Sequence, residues 1–274
     1  MDIKAFKMDG LGNDFVIIDQ RSQNYNLTKD QIIKICDRNF IGCDQLIFIQ
    51  KSDNKDAGLE FYNSDGSISG ACGNGTRCVA DLLSKENNDK EIILWTSSGA
   101  LKSQILGNNL VETEIGIPKT NWNEIPLNKN LDTKNLNIKI VNTNNIEHIG
   151  GTSVNVGNPH VVFFVDNIED YDLKKIGPEI ENHNYFPEKC NVTLAKVISK
   201  KLIKVKVWER GAGLTKACGT AACATAVAAN ISGLTDKKTD IEFALGKLSI
   251  IIDQNNSVHM KGPVSDIRNI EINI

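Results

Sequence analysis

Two stretches of this chain share one device, and that device restricts the fold. Ala71-Cys72-Gly73-Asn74-Gly75-Thr76-Arg77-Cys78 and Ala217-Cys218-Gly219-Thr220-Ala221-Ala222-Cys223 each place a cysteine just before glycine and other small residues. Val79, Leu82 and Leu83 follow the first, and an Ala/Val run to Ala229 follows the second. Both patterns predict a helix whose N-terminus lies at the cysteine. A helix start offers unsatisfied N–H groups and the positive end of the backbone dipole, which favour a thiolate over a thiol. Two such helices imply two matching halves. Two thiols facing each other across a cleft would suit moving a proton from one side of a carbon to the other.

Composition narrows the class. The chain has 274 residues, 41% of them hydrophobic and 24% charged, enough for one large or two smaller soluble domains with good cores. A net charge of −3, spread over both halves, gives no footprint for nucleic acid. No apolar run approaches the roughly 18 residues of a membrane span, and MDIKAFKMDG lacks a signal-peptide core. The seven cysteines are odd in number and lack an export signal, so free thiols in a reducing cytosol are expected rather than a disulfide framework.

In chain order, Ile3–Met8 and Phe15–Asp19 read as strands parted by a glycine-punctuated loop, Asp9–Asp14. Thr28-Lys29-Asp30-Gln31 fits a capping box and predicts a helix of about three turns. Leu46–Ile49 and Leu59–Tyr62 read as strands, and Asn63-Ser64-Asp65-Gly66-Ser67 as a turn leading to Cys72. Ile92–Trp95, Leu101–Leu106 and Val111–Ile117 form an antiparallel meander around Ser97-Ser98-Gly99 and Gly107-Asn108-Asn109. The Asn-rich stretch from Pro118 to Gly151 carries the expected boundary, although Leu136–Val141 within it reads as a strand. Beyond it, strands are predicted at Val161–Val165, Asn191–Val197 and Leu202–Trp208, with a helix near Ile168–Ile176. Glu209–Thr215 reads as a flexible loop feeding Cys218. Strands follow at Ile241–Ala244, Lys247–Ile252 and Ser257–Met260; Gly262-Pro263 breaks the chain before a last strand within Ile267–Ile274. Each half therefore runs strands, Cys-Gly helix, strands.

Six motifs in order resemble those of the diaminopimelate epimerase family. They are Gly12-Asn13-Asp14-Phe15, Asn63-Ser64-Asp65-Gly66-Ser67, the Cys72 stretch, Gly157-Asn158-Pro159-His160, Glu209-Arg210-Gly211 and Ala217-Cys218-Gly219-Thr220. Ala221 departs from the family's usual Gly, and Val192-Thr193 is a second place where the family often differs; no loss of activity is expected from either. The resemblance implies an α/β (α+β) fold of two pseudo-symmetric domains, each a mostly antiparallel, barrel-like sheet around a central helix. The domains are expected at residues 1–117 plus 263–274 and at 118–262. It also implies a cytoplasmic homodimer in lysine and peptidoglycan-precursor synthesis, with diaminopimelate as its small-molecule partner and neither cofactor nor metal.

The chemistry fits that reading. A carbon between carboxylate and ammonium is a very weak acid, so inverting it needs a base on one face and an acid on the other. By resemblance Cys72 and Cys218 are these two groups, and His160 and Glu209 lie beside them and tune them. Asn13, Gln45, Asn63, Asn158, Asn191, Glu209 and Arg210 are implied substrate contacts. Backbone N–H groups at Gly73-Asn74 and Gly219-Thr220 can bind the α-carboxylate, and Arg210 is a natural fork for a carboxylate. Cys36, Cys43, Cys78, Cys190 and Cys223 read as core thiols, and His148, His183 and His259 as structural. Two other classes compete. A proline racemase or hydroxyproline epimerase would want an apolar wall where this chain has Arg210 and several Asn. A redox or zinc protein would want C-x-x-C spacing, which is absent.

Overall fold

The computed structural model describes residues 2–53, 55–70, 72–97 and 99–274. Ala71, the first residue of the Cys72 motif, and Ser98, in the Ser97-Ser98-Gly99 turn, lie outside the described residues. The chain forms two compact units, one of the residues up to Glu114 with Lys261–Ile274, the other of Ile115–Met260.

The first unit contains β1 (Asp2–Gly10), β2 (Asn13–Asp19), α1 (Lys29–Cys36), β3 (Gln45–Gln50), β4 (Ala57–Asn63), β5 (Ile68–Ser69), α2 (Gly73–Asn87), β6 (Glu91–Thr96), β7 (Gly99–Gly107) and β8 (Leu110–Gly116). The Asp9–Asp14 stretch is a tight hairpin rather than an open loop. Gly10 pairs with Asn13 across Leu11 and Gly12, whose φ values of 64° and 78° give the left-handed turn that matches strand twist. β1 also pairs antiparallel with the last strand of the chain, Arg268–Asn273. β2 and β3 are parallel and joined through α1; β3 and β4 are antiparallel; β4 and β6 are parallel and joined through α2. The side chains obey the two-residue period of strands. Phe15, Ile17, Ile47 and Ile49 pack with α2, and Val16, Ile18, Leu46 and Phe48 with α1. α1 carries both bonds of the Thr28–Gln31 capping box, but at eight residues it is about one turn shorter than expected. Every residue of α2 from Gly73 to Ser84 is buried, so this helix is the core of its unit.

The second unit opens with a separate hairpin, β9 (Ile138–Val141) and β10 (Glu147–Gly150). Then come β11 (Thr152–Asn155), β12 (Pro159–Phe164), α3 (Leu173–Glu181), β13 (Asn191–Ser199), β14 (Leu202–Glu209), β15 (Gly213–Thr215), α4 (Gly219–Ile231), β16 (Lys238–Phe243) and β17 (Gly246–Ile252). β18 (Val258–Pro263) leads out of the unit, and the last strand is β19 (Arg268–Asn273). Three expectations are corrected. The helix sought at Ile168–Ile176 is a short 3-10 turn, Ile168–Asp170, followed by α3, because Asn167 and Asp172 each cap a separate start. The Glu209–Thr215 loop is a hairpin, β15 lying antiparallel on β14. Gly262-Pro263 ends a strand instead of interrupting the chain.

The pairing in the second unit repeats that of the first. β12 and β13 are parallel through α3, β13 and β14 antiparallel, and β14 and β16 parallel through α4. The spacing repeats as well. Gln45 to Asn63 and Asn191 to Glu209 are each 18 residues, and each is followed after nine residues by Cys72 or Cys218. In register, Phe15 opposes Gln45 and His160 opposes Asn191, so Gly12-Asn13-Asp14-Phe15 and Gly157-Asn158-Pro159-His160 hold equivalent places.

Candidate active site

Both cysteines sit at the N-cap of the central helix of their unit, with closely matched extended backbones. Cys72 has φ −142° and ψ 107°, and Cys218 has φ −140° and ψ 117°. The carbonyl of each accepts the first helical bond, from Thr76 N at 2.8 Å and from Ala222 N at 3.0 Å. The preceding amides, of residues 73–75 and 219–221, lie ahead of that ladder at the positive end of the helix.

In the first unit the side chains converge on Asn13. Its Oδ1 lies 3.7 Å from Cys72 Sγ and accepts from Asn74 Nδ2 at 3.3 Å, while its Nδ2 donates to Asp44 at 3.1 Å. Gln45 donates to Asn63 Oδ1 at 2.9 Å, and Asn63 donates to Ser67 at 3.0 Å. Arg77, fully buried one turn into α2, donates to Asn74 Oδ1 at 3.0 Å. Asp44 and Arg77 are thus part of the polar shell; Asp44 lies outside every motif, and Arg77 stands within the Cys72 motif but not among the site residues expected from it. The helix start is reached closely because residue 75 is glycine. A Cβ there would stand 2.7 Å from Ile47 Cδ1 and 3.1 Å from Phe61 Cε1.

In the second unit Cys218 is buried, with its Sγ 3.4 Å from the Thr220 hydroxyl. The helix-end argument anticipates a thiolate here, and the environment reverses it. Burial, and after it the charge of Glu209, push the Cys218 thiol up, outweighing the Thr220 hydroxyl and the Ala221 N–H that favour the anion. Cys218 therefore rests as a thiol beside the Glu209 carboxylate. His160 is fully buried. Burial, helped by the Arg210 charge, lowers its pKa to about 3, so the ring is neutral. Its Nε2 lies 2.8 Å from Asn158 Oδ1 and 3.5 Å from Asn191 Nδ2. The Asn158 oxygen can only accept, so the short contact is a bond donated by Nε2–H, and His160 braces Asn158. Asn191 donates to Pro159 O at 3.0 Å and accepts from Arg210 N at 3.0 Å. The sequence-predicted residues therefore assemble as Asn13, Cys72 and Asn74 with Gln45 and Asn63 nearby in one unit, and as Asn158, His160, Asn191 and Arg210 with Glu209, Cys218 and Thr220 in the other. The remaining cysteines are buried, and no group of three or more His, Cys, Asp and Glu is placed to hold a metal among the described residues.

The duplicated halves define a fold shared with known epimerases. A hydroxyproline epimerase from Agrobacterium vitis, solved with trans-4-hydroxy-L-proline, superposes with a TM-score of 0.65 at 11% identity, over 98% of this chain and 91% of that one. A phenazine biosynthesis protein of the PhzF family from Bacillus anthracis gives 0.70 at 15% identity over all of both chains. Such identities establish the fold alone. The sequence decides the rest: the diaminopimelate epimerase pattern matches residues 5–120 and 152–267, one block in each half. A diaminopimelate epimerase from Pelagibacter ubique (strain HTCC1062) is 76% identical over 274 residues, the full length of both. The chain belongs to the diaminopimelate epimerase family and is an isomerase.

Proposed function

We propose that this chain interconverts LL- and meso-diaminopimelate, its family's reaction in lysine biosynthesis, by a two-base mechanism of thiolate and thiol without pyridoxal phosphate. The observation that carries the proposal is the matched pair of cysteines at the N-caps of α2 and α4, each within a polar set at the same spacing. One cysteine, as thiolate, removes the Cα proton; the other, as thiol, delivers a proton to the opposite face; the reverse reaction exchanges the roles. By family pattern Cys72 is the donor and Cys218 the acceptor. The amides at Gly73-Asn74 and Gly219-Thr220 hold the α-carboxylate and offset the charge that develops on the carbanion. Asn13, Gln45, Asn63, Asn158 and Asn191 bind the polar ends of the substrate, and Arg210 takes a carboxylate.

Glu209 has a second task in this scheme. Its charge helps hold Cys218 as a thiol. A substrate ammonium paired with Glu209 offsets that charge and eases ionisation of the thiol, whose larger restraint is burial. His160, uncharged, keeps Asn158 aimed, while Pro159 O and Arg210 N fix Asn191. The protein works as a homodimer in the cytoplasm, without nucleic-acid or membrane partners; no helix among the described residues is long and apolar enough to cross a membrane.

Substrate choice is tested by offering LL-diaminopimelate, proline and 4-hydroxyproline in deuterated water and following deuterium at Cα. Uptake with diaminopimelate alone is expected. Uptake with proline alone would move the chain to the racemases that share its fold.

A further inference from the structure

We propose that Glu181, in the last turn of α3, is a positioning residue for the hairpin that carries Glu209 and Arg210; the proposal rests on the reading that this hairpin binds substrate. Glu181 is 6% exposed, yet its carboxylate has two hydrogen-bond donors, with Lys189 Nζ 4.0 Å from Oε1 as a looser ion pair. Oε2 accepts from the Trp208 indole Nε1 at 2.7 Å, and Oε1 accepts from Gly211 N at 3.0 Å. One donor is on β14 just before Glu209, and the other is in the turn just after Arg210. The Arg210 N–H between them is taken by Asn191 at 3.0 Å. Two successive amides of the turn are thus held by side chains from outside the hairpin.

The other half of the molecule shows why an external anchor is needed. Its equivalent hairpin, Asn63–Ser67, ties itself. Asp65 accepts from Ser67 N at 2.9 Å and from the Ser67 hydroxyl at 2.5 Å. The backbone bond across the turn is common to both hairpins, Gly66 N to Asn63 O at 2.9 Å here and Ala212 N to Glu209 O at 3.1 Å there, so the difference lies in the side chains. The turn Arg210-Gly211-Ala212 has no Asp, Asn or Ser to add side-chain bonds of this kind. Helix α3 is seated for the task. Gly177 lies against the indole, where a Cβ would stand 2.6 Å from Trp208 Cγ, and Glu181 follows one turn later to meet the indole N–H. The two N–H donors reach separate oxygens, and an amide would place an NH₂ donor where one of those oxygens stands.

The test compares wild type with Glu181→Gln, Arg210→Ala and the double variant, measuring KM and kcat for LL-diaminopimelate together with Tm. Glu181→Gln is expected to raise KM about tenfold with kcat kept within about threefold, and to add less than about twofold in the Arg210→Ala background, since the two residues act as one unit. A lower Tm with unchanged KM would make Glu181 merely structural and overturn the proposal. So would a KM effect that multiplies in full on Arg210→Ala. A normal KM for Arg210→Ala itself would refute the reading of the hairpin as substrate-binding, which is a separate failure. Should Glu181→Gln not fold, Glu181→Asp keeps both acceptor oxygens on a shorter stem and supplies the same comparison.

Discussion

At the residue scale the proposed reaction depends on two thiols whose surroundings differ. Replacing either sulfur with a hydroxyl, Cys72→Ser or Cys218→Ser, puts a far poorer proton donor and acceptor in place of the thiol. Each variant is expected to lose at least about 10²-fold in turnover, the scale of general acid–base catalysis, with its Tm little changed. Near-normal turnover in either one, measured by coupled assay on LL-diaminopimelate, would defeat the scheme. His160 supports a second prediction, with a definite sign. Its folded pKa of about 3 lies below its ordinary value of 6.5. Below pH 6.5 the unfolded chain binds a proton that the folded chain refuses, so stability is full above that pH and falls as pH drops toward 3. The equivalent residue of the other half is Phe15, which does not titrate. His160→Phe should therefore flatten Tm against pH across this window; parallel curves for the variant and wild type would contradict the assignment.

At the element scale, much of the strand pattern was legible because buried strands announce themselves by β-branched runs and two-residue alternation. Val16-Ile17-Ile18 and Leu46-Ile47-Phe48-Ile49 are examples. The two Cys-Gly helix starts were legible for a similar reason, since small residues before an apolar run have few other uses. What escaped was decided by distant contacts. The expected helix ends at Ile176, yet α3 runs on through Gly177-Pro178 to Glu181, and the glycine there leaves room for the Trp208 indole. Arg210-Gly211-Ala212 reads as flexible, yet Asn191 and Glu181 fix it. Ala221 has a similar explanation. Its counterpart Gly75 faces Ile47 and Phe61, and the residues spaced to match these in the second half are the smaller Thr193 and Val207. Gly75→Ala is accordingly expected to cost about 1–3 kcal/mol through overpacking. Ile47→Val, which deletes the nearest atom, should recover part of that loss. Thermal melting of the single and double variants checks this, and an unaffected Gly75→Ala protein would show that the contact is not tight. The capping box gives a smaller effect, with Thr28→Ala losing about 1 kcal/mol in the same measurement.

At the scale of the whole molecule the organising fact is duplication. One arrangement of strands, crossover helices and polar positions occurs twice, and substitution has made the copies differ in chemistry. Asn63 in one half is matched by Glu209 in the other, and Phe15 by His160. The half with Asn63 and Phe15 keeps Cys72 partly exposed beside Asn13. The half with Glu209 and His160 buries Cys218 and holds it protonated. Such an unequal pair of thiols suits a reaction in which one must be a base while the other is an acid. The two Cys-Gly helix starts could be read from motifs, but the inequality of their thiols could not, because it depends on burial and on Glu209 standing beside one sulfur.

The most direct test follows LL-diaminopimelate in deuterated water at early conversion, with mass analysis of both isomers. Two bases predict that each new meso molecule carries one solvent deuteron at Cα while the remaining LL substrate is unlabelled, since the proton removed and the deuteron delivered belong to different thiols. Meso product that retains the substrate's own proton would mean a single base carrying it across, and would contradict the account.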